Sequence, residues 1–171
     1  MTQAVMFCIM DVSASMGEHE KELAKRFFFF LHMFLHRKYE KVEIVFIRHH
    51  EDAEEVNEHD FFYSTASGGT VVSTAINLVD KVIKERYSLN DWNVYVAQAS
   101  DGDNYPADYE KCQAAMQDLF PLIQYFAYIE VRDSNYYDGV VMANGALPSG
   151  YDRSLNTFDV YGMVYMVLGV T

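Results

Sequence analysis

A chain of 171 residues, half of them hydrophobic, is long enough for one compact domain with a sizeable core. Its formal net charge of −12 argues against a phosphate-backbone partner, because binding nucleic acid needs a basic surface. No membrane span or signal peptide is visible: the opening apolar run is too short to cross a bilayer, and no basic segment precedes it.

Strands and helices alternate along the chain to about residue 131. Residues 4–10 are a continuous apolar run, the pattern of a central parallel strand buried on both faces. Residues 18–37 predict a helix with Leu23, Phe27, Phe30, Leu31 and Phe34 on one stripe. Phe28 and Phe29 widen that stripe almost to the whole circumference, so the helix is expected to lie deep against the sheet. Val42–Ile47 is a second strand. Ala53–Val56 returns as an antiparallel edge strand through the turn His49-His50-Glu51-Asp52, its acidic residues discouraging edge pairing.

Thr70–Arg86 predicts a second helix with Val72, Ala75, Ile76, Val79 and Ile83 facing inward. Trp92–Ala97 is the next strand, Tyr109–Leu119 a helix ended by Pro121, and Gln124–Val131 a further strand. This order implies a doubly wound α/β fold, mostly parallel with one antiparallel edge strand and helices on both faces. The tail, residues 132–171, differs in character: it is rich in Tyr, Gly, Asn and Val and has no lysine. Asn144-Gly145 marks a turn, and Val160–Leu168 reads as a last strand or a buried helix of the same single domain. Cys8 and Cys112 are far apart in a chain without export signals and read as reduced, buried thiols, consistent with a cytoplasmic location.

The chemistry concentrates on three loops. Asp11-Val12-Ser13-Ala14-Ser15 follows the first strand, Thr70 follows Gly68-Gly69 at the start of the second helix, and Asp101 follows the strand that begins at Trp92. All three fall at the carboxyl ends of parallel strands, where open α/β sheets bind ligands. Two carboxylates and three hydroxyls are an oxygen-only donor set, suited to Mg²⁺ or Mn²⁺ rather than zinc. The competing reading of Ser13 and Ser15 is that they cap the first helix.

This Asp-x-Ser-x-Ser, Thr, Asp set resembles the metal-ion-dependent adhesion site of a von Willebrand factor type A domain. The stretches Val5–Ser13, Ile47-Arg48-His49-His50, Glu58–Ser64 and Ala97–Asn104 look like the bacterial YeaH/YhbH family, over roughly residues 4–131. The resemblance implies a metal-dependent protein-binding module, with Asp11, Ser13, Ser15, Thr70 and Asp101 as the metal residues. It also implies a partner protein whose acidic side chain fills the open metal position. The family adds a stress- or sporulation-linked role beside a serine protein kinase.

An enzymatic alternative places Asp11 as the nucleophile of a haloacid-dehalogenase-type phosphatase, with Gly102-Asp103 and Asp108 as its second acidic motif. Such enzymes need an acid two residues after the nucleophile. Position 13 is Ser, whose hydroxyl is far too weak an acid for that task. His32 and His36, one helical turn apart, could share a metal but lack a third ligand other than Glu40. His49 and His50 point to opposite faces of their strand, and His59 reads as part of a solvated loop. Asp103 is read either as a group orienting water on the metal or as an Asx turn.

Overall fold

The structure is a computed structural model and describes residues 2–63 and 68–131. The expectations for residues 132–171 lie outside the described residues. In chain order the elements are β1 (Gln3–Asp11), α1 (Glu18–Lys38), β2 (Lys41–His49), β3 (Ala53–Val56), α2 (Glu58–Tyr63), α3 (Val72–Arg86), β4 (Trp92–Ser100), α4 (Tyr109–Leu119) and β5 (Tyr125–Glu130). Single 3₁₀ turns at Pro106–Asp108 and Phe120–Leu122 flank α4.

The five strands form one sheet in the order β3-β2-β1-β4-β5. Every pairing is parallel except β2 with β3. The acidic β3 sits at the edge, as its sequence anticipates. β1 is central, and from Ala4 to Asp11 every residue is buried. The continuous apolar run has that cause: covered on both faces, this strand has no solvent side to alternate with.

The alternation of side chains divides the core in two. Val5, Phe7 and Ile9 join Ala75, Ile76, Val79 and Ile83 of α3 and Cys112, Met116 and Leu119 of α4. Ala4, Met6, Cys8 and Met10 face the other way, against Ala24, Phe28 and Leu35 of α1 and Phe61 of α2. Cys8 and Cys112 are both free and buried. The short helix α2 was not foreseen. Its six residues are too few to show a helical period, and the buried Phe61 is what holds it to the sheet.

α1 corrects the expectation of all-round burial. Its buried apolar positions are Ala24, Phe28 and Leu35, with Leu23, Phe27 and Leu31 partly covered. Phe29, Phe30 and Phe34 remain 59%, 68% and 60% exposed. The reason is angular. Phe30 and Phe34 stand two and six residues from Phe28, about 200° and 240° around a helix of 3.6 residues per turn. One helix laid on a flat sheet buries a single stripe, and that stripe runs through Ala24, Phe28 and Leu35.

The order of pairing positions the site. β1 leads to β2 on one side and the chain then crosses to β4 on the other, so the loops after β1 and β4 diverge from the switch point between adjacent strands. Ligands bind in that crevice in open α/β sheets. Asp11 ends β1 and Asp101 directly follows β4.

Candidate metal centre

Four of the five residues marked in the sequence are joined by a continuous run of hydrogen bonds. Asp11 is fully buried. Its Oδ1 accepts the Ser13 backbone N–H at 2.8 Å and its Oδ2 accepts the Ser100 hydroxyl at 3.2 Å. The Ser13 and Ser15 hydroxyl oxygens lie 3.2 Å apart, and the Ser15 hydroxyl donates to Asp101 Oδ2. Asp101 Oδ1 accepts the Asp103 N–H at 3.1 Å. An Asx turn is therefore present, but it belongs to Asp101, and the Asp103 side chain is exposed.

Ser13 and Ser15 do not cap α1. Its N-cap is Gly17, without a side-chain capping bond; the two seryl hydroxyls are engaged with each other, and that of Ser15 also with Asp101. Thr70 is also buried, on the segment leading into α3. The next residue, Val71, donates its N–H to the His50 carbonyl at 2.8 Å, which ties the segment to the end of β2. Among the described residues, no hydrogen bond joins the Thr70 side chain to the other four.

Electrostatics explain what this arrangement lacks. Burial pushes the Asp11 carboxyl up to about 6, and the Asp101 charge beside it adds to the rise, against the hydrogen bonds from Ser13 and Ser100. No ion pair reaches either carboxylate among the described residues. Two buried acids side by side, with hydroxyls rather than ammonium groups around them, make a negative pocket in need of a cation. The donors are all oxygens, and hard cations of the Mg²⁺ and Mn²⁺ kind prefer those. The fit rests on the hydroxyls: among the described residues, no group of three or more His, Cys, Asp or Glu could hold a metal.

That absence bears on the histidines. His32 and His36 stack with ring centroids 4.2 Å apart and have no third ligand beside them among the described residues. His59 is exposed next to Asp60. His49 differs. It pairs in register with Asp11, is fully buried, and burial pushes its imidazole down to about 4. Neither ring nitrogen, nor either amide atom of the fully buried Gln98, has a partner among the described residues.

The sequence reading does not single out Ser100 or Asn104, and it gives Asp108 only a place in the acidic motif of the phosphatase alternative. Ser100 was hidden because the strand was ended at Ala97 instead of Ser100, so its register beside Asp11 was not evident. Asn104 and Asp108 serve a helix other than their own. Asn104 Oδ1 accepts the Val72 N–H at 3.3 Å, and Asp108 Oδ2 accepts the Ser73 N–H at 2.9 Å. Asp108 precedes α4 directly, yet makes no capping bond to it. No local spacing carries a signal for a cap that acts across 35 residues.

A family model described as "Protein of unknown function (DUF444)" matches residues 1–165. A UPF0229 protein of Legionella pneumophila (strain Corby) is 61% identical over 136 residues, which cover 79% of this chain and 32% of that protein. The chain thus spans about a third of the length of such curated relatives. Among solved structures, an aerotolerance-related membrane protein of Bacteroides fragilis superposes with a TM-score of 0.52 at 18% identity, covering 75% of this chain and 67% of that one. BatB of Bacteroides thetaiotaomicron gives 0.51 at 18% identity, covering 75% and 65%. The likeness is one of fold, and the fold is of the von Willebrand factor type A kind. Among the described residues, no helix is long and apolar enough to cross a membrane.

Proposed function

The chain belongs to the DUF444 family, and we propose that this domain is a metal-ion-dependent protein-binding module. Its metal residues are Asp11, Ser13, Ser15, Thr70 and Asp101, and its cation is Mg²⁺ or Mn²⁺. The observation that carries the reading is the hydrogen-bonded run Asp11–Ser13–Ser15–Asp101 at the switch point of the sheet, with two buried carboxyls and no cationic side chain paired to either among the described residues. When bound, the cation supplies an electrophilic centre with a coordination position free for an outside ligand.

The chain's own residues set how electrophilic that centre is. Asp11 and Asp101 provide the negative charge, while Ser13, Ser15 and Thr70 contribute neutral oxygens. Two carboxylates only balance the charge of a divalent cation, and the neutral hydroxyls, weak donors, leave the ion electrophilic enough to take an Asp or Glu carboxylate of another protein. A domain of charge −12 repels an acidic surface in the absence of that ion. By its resemblance to the YeaH/YhbH family, a serine protein kinase system is the first place to seek the partner, and a cytoplasmic setting goes with it.

Binding is favoured over phosphoryl transfer because a residue the enzymatic alternative needs is engaged elsewhere. Asp108 accepts hydrogen bonds from Ser73 and Cys112. Ser13 stands where the leaving-group acid would be. Generic phosphatase substrates should be turned over no faster by the wild type than by Asp11→Asn. Partner capture from a bacterial lysate should require Mg²⁺ or Mn²⁺, fail in EDTA, and fail with folded Thr70→Ala. Capture that persists equally under all three conditions would locate the interface away from the metal centre.

A further inference from the structure

We propose that Asp108 is the positioning residue of the metal centre: it fastens the Thr70 segment to the Asp101 loop, and the spacing between those two ligands depends on it. The inference rests on the metal-binding reading above.

The first-turn N–H groups of a helix have no intrahelical partner and must find one elsewhere. In α3 the N-cap residue is Val71, which has no side-chain acceptor. Two of these donors, both buried, are taken by the loop after β4. The Val72 N–H goes to Asn104 Oδ1 and the Ser73 N–H to Asp108 Oδ2, while the Ser73 hydroxyl donates to Asp108 Oδ1. Asp108 is 4% exposed, and among the described residues it has no ion-pair partner. Its charge is balanced by the positive end of the α3 dipole and by charge-assisted bonds. The Cys112 thiol completes the set, donating to Asp108 Oδ2 at 3.1 Å, and the Asn104 amide nitrogen lies 3.5 Å from that sulfur.

A second contact closes the same gap. A Cβ at Gly69 would run into the ring and hydroxyl of Tyr105, a half-exposed side chain of the loop after β4, so the two loops touch there. Thr70 sits between this contact at Gly69 and the hydrogen bonds of Val72 and Ser73. Asp101 begins the loop that supplies Asn104, Tyr105 and Asp108. The Asp11–Ser15 loop has its own bonds to Asp101, but Thr70 has none to the other four among the described residues. The Val71–His50 bond holds the segment to β2, and its position relative to the Asp101 loop is transmitted through Asn104 and, with two bonds, Asp108.

The test is Mn²⁺ titration of the full chain, with melting in EDTA measured alongside. Asp108→Asn keeps the shape but removes the charge and one acceptor. It should weaken Mn²⁺ by about 10- to 100-fold, the range usual for groups that orient metal ligands. The same substitution in Thr70→Ala should add little, because the ligand it positions is already gone. Ser73→Ala should give a smaller loss in the same direction, and it decides the matter if Asp108→Asn fails to fold. A purely structural role would lower the melting temperature and leave the affinity of the folded protein unchanged. That result, or losses that add fully with Thr70→Ala, would overturn the proposal. Absence of Mn²⁺ binding by the wild type would instead overturn the metal reading, and this inference with it.

Discussion

The body of β1 and its carboxyl end are equally buried and built on opposite principles. From Ala4 to Met10 the strand carries apolar side chains into two packed half-cores. One residue later Asp11 is just as inaccessible, flanked in register by His49 on β2 and hydrogen-bonded to Ser100 at the end of β4. In the first region, burial is the stabilising force. In the second, burial opposes folding, because it desolvates an acid next to another acid. The difference teaches that this sheet's carboxyl edge is not a continuation of the core but a place where stability is given up for charge.

The sharpest way to test that contrast is to cut into each region. Phe7→Ala should destabilise the domain by about 3–5 kcal/mol through lost burial and a cavity. Its folded fraction should bind Mn²⁺ as the wild type does. Equal damage to affinity and stability would erase the distinction between the two regions.

Next in size is the pH response of the metal-free protein. Asp11 has a folded value of about 6, above its unfolded value, so its neutral form is favoured by folding. Its contribution is fully present below about pH 4 and is lost as pH rises through about 6, by on the order of 2–3 kcal/mol. His49 runs the other way. With a folded value of about 4, it is neutral when folded, and stability falls as pH drops from about 6.5 towards 4. In the wild type the two largely offset each other over that interval. Asp11→Asn removes one of them, so its denaturation midpoint should exceed the wild type's at pH 8 and fall steeply with acid below about pH 6.5. A variant less stable than the wild type at pH 8 without metal would contradict the reading of Asp11 as a strained acid.

The smallest effect belongs to α1. Phe30→Ser and Phe34→Ser lie off the buried stripe, and each should change stability by no more than about 0.5 kcal/mol, whereas Phe28→Ala should cost several times that. Similar losses at all three positions would mean that α1 is covered on more than one side.

The sequence made most of this architecture legible because hydrophobic period and position agree. The unbroken apolar run at residues 4–10, the edge strand Ala53–Val56 and the helix Tyr109–Leu119 match the structure at or within a residue of their ends. Aromatic density, by contrast, overstated the burial of α1, since periodicity cannot say how many neighbours a helix has. At the site, Asp11, Ser13, Ser15 and Asp101 were legible because each lies at a strand end or in a recognisable loop motif, and hydrogen bonds join them. The capping role of Asn104 and Asp108 was not, because the helix they cap is far away in sequence. Of His49 and His50 the sequence says only that they point to opposite faces, since nothing local distinguishes a fully buried histidine at a strand end from one in solvent.

The central claim is that the charge concentrated at the end of β1 exists to hold a cation. Isothermal titration of Mn²⁺ into the wild type and into Asp11→Ala, at pH 7.5 and with a fold check on both, tests it most directly. The account predicts one site in the wild type and an affinity reduced by at least about 100-fold in the variant, because a charged ligand and the anchor of the Ser13 turn are lost together. Wild-type protein that takes up no Mn²⁺, or a folded Asp11→Ala that binds it equally well, would contradict it.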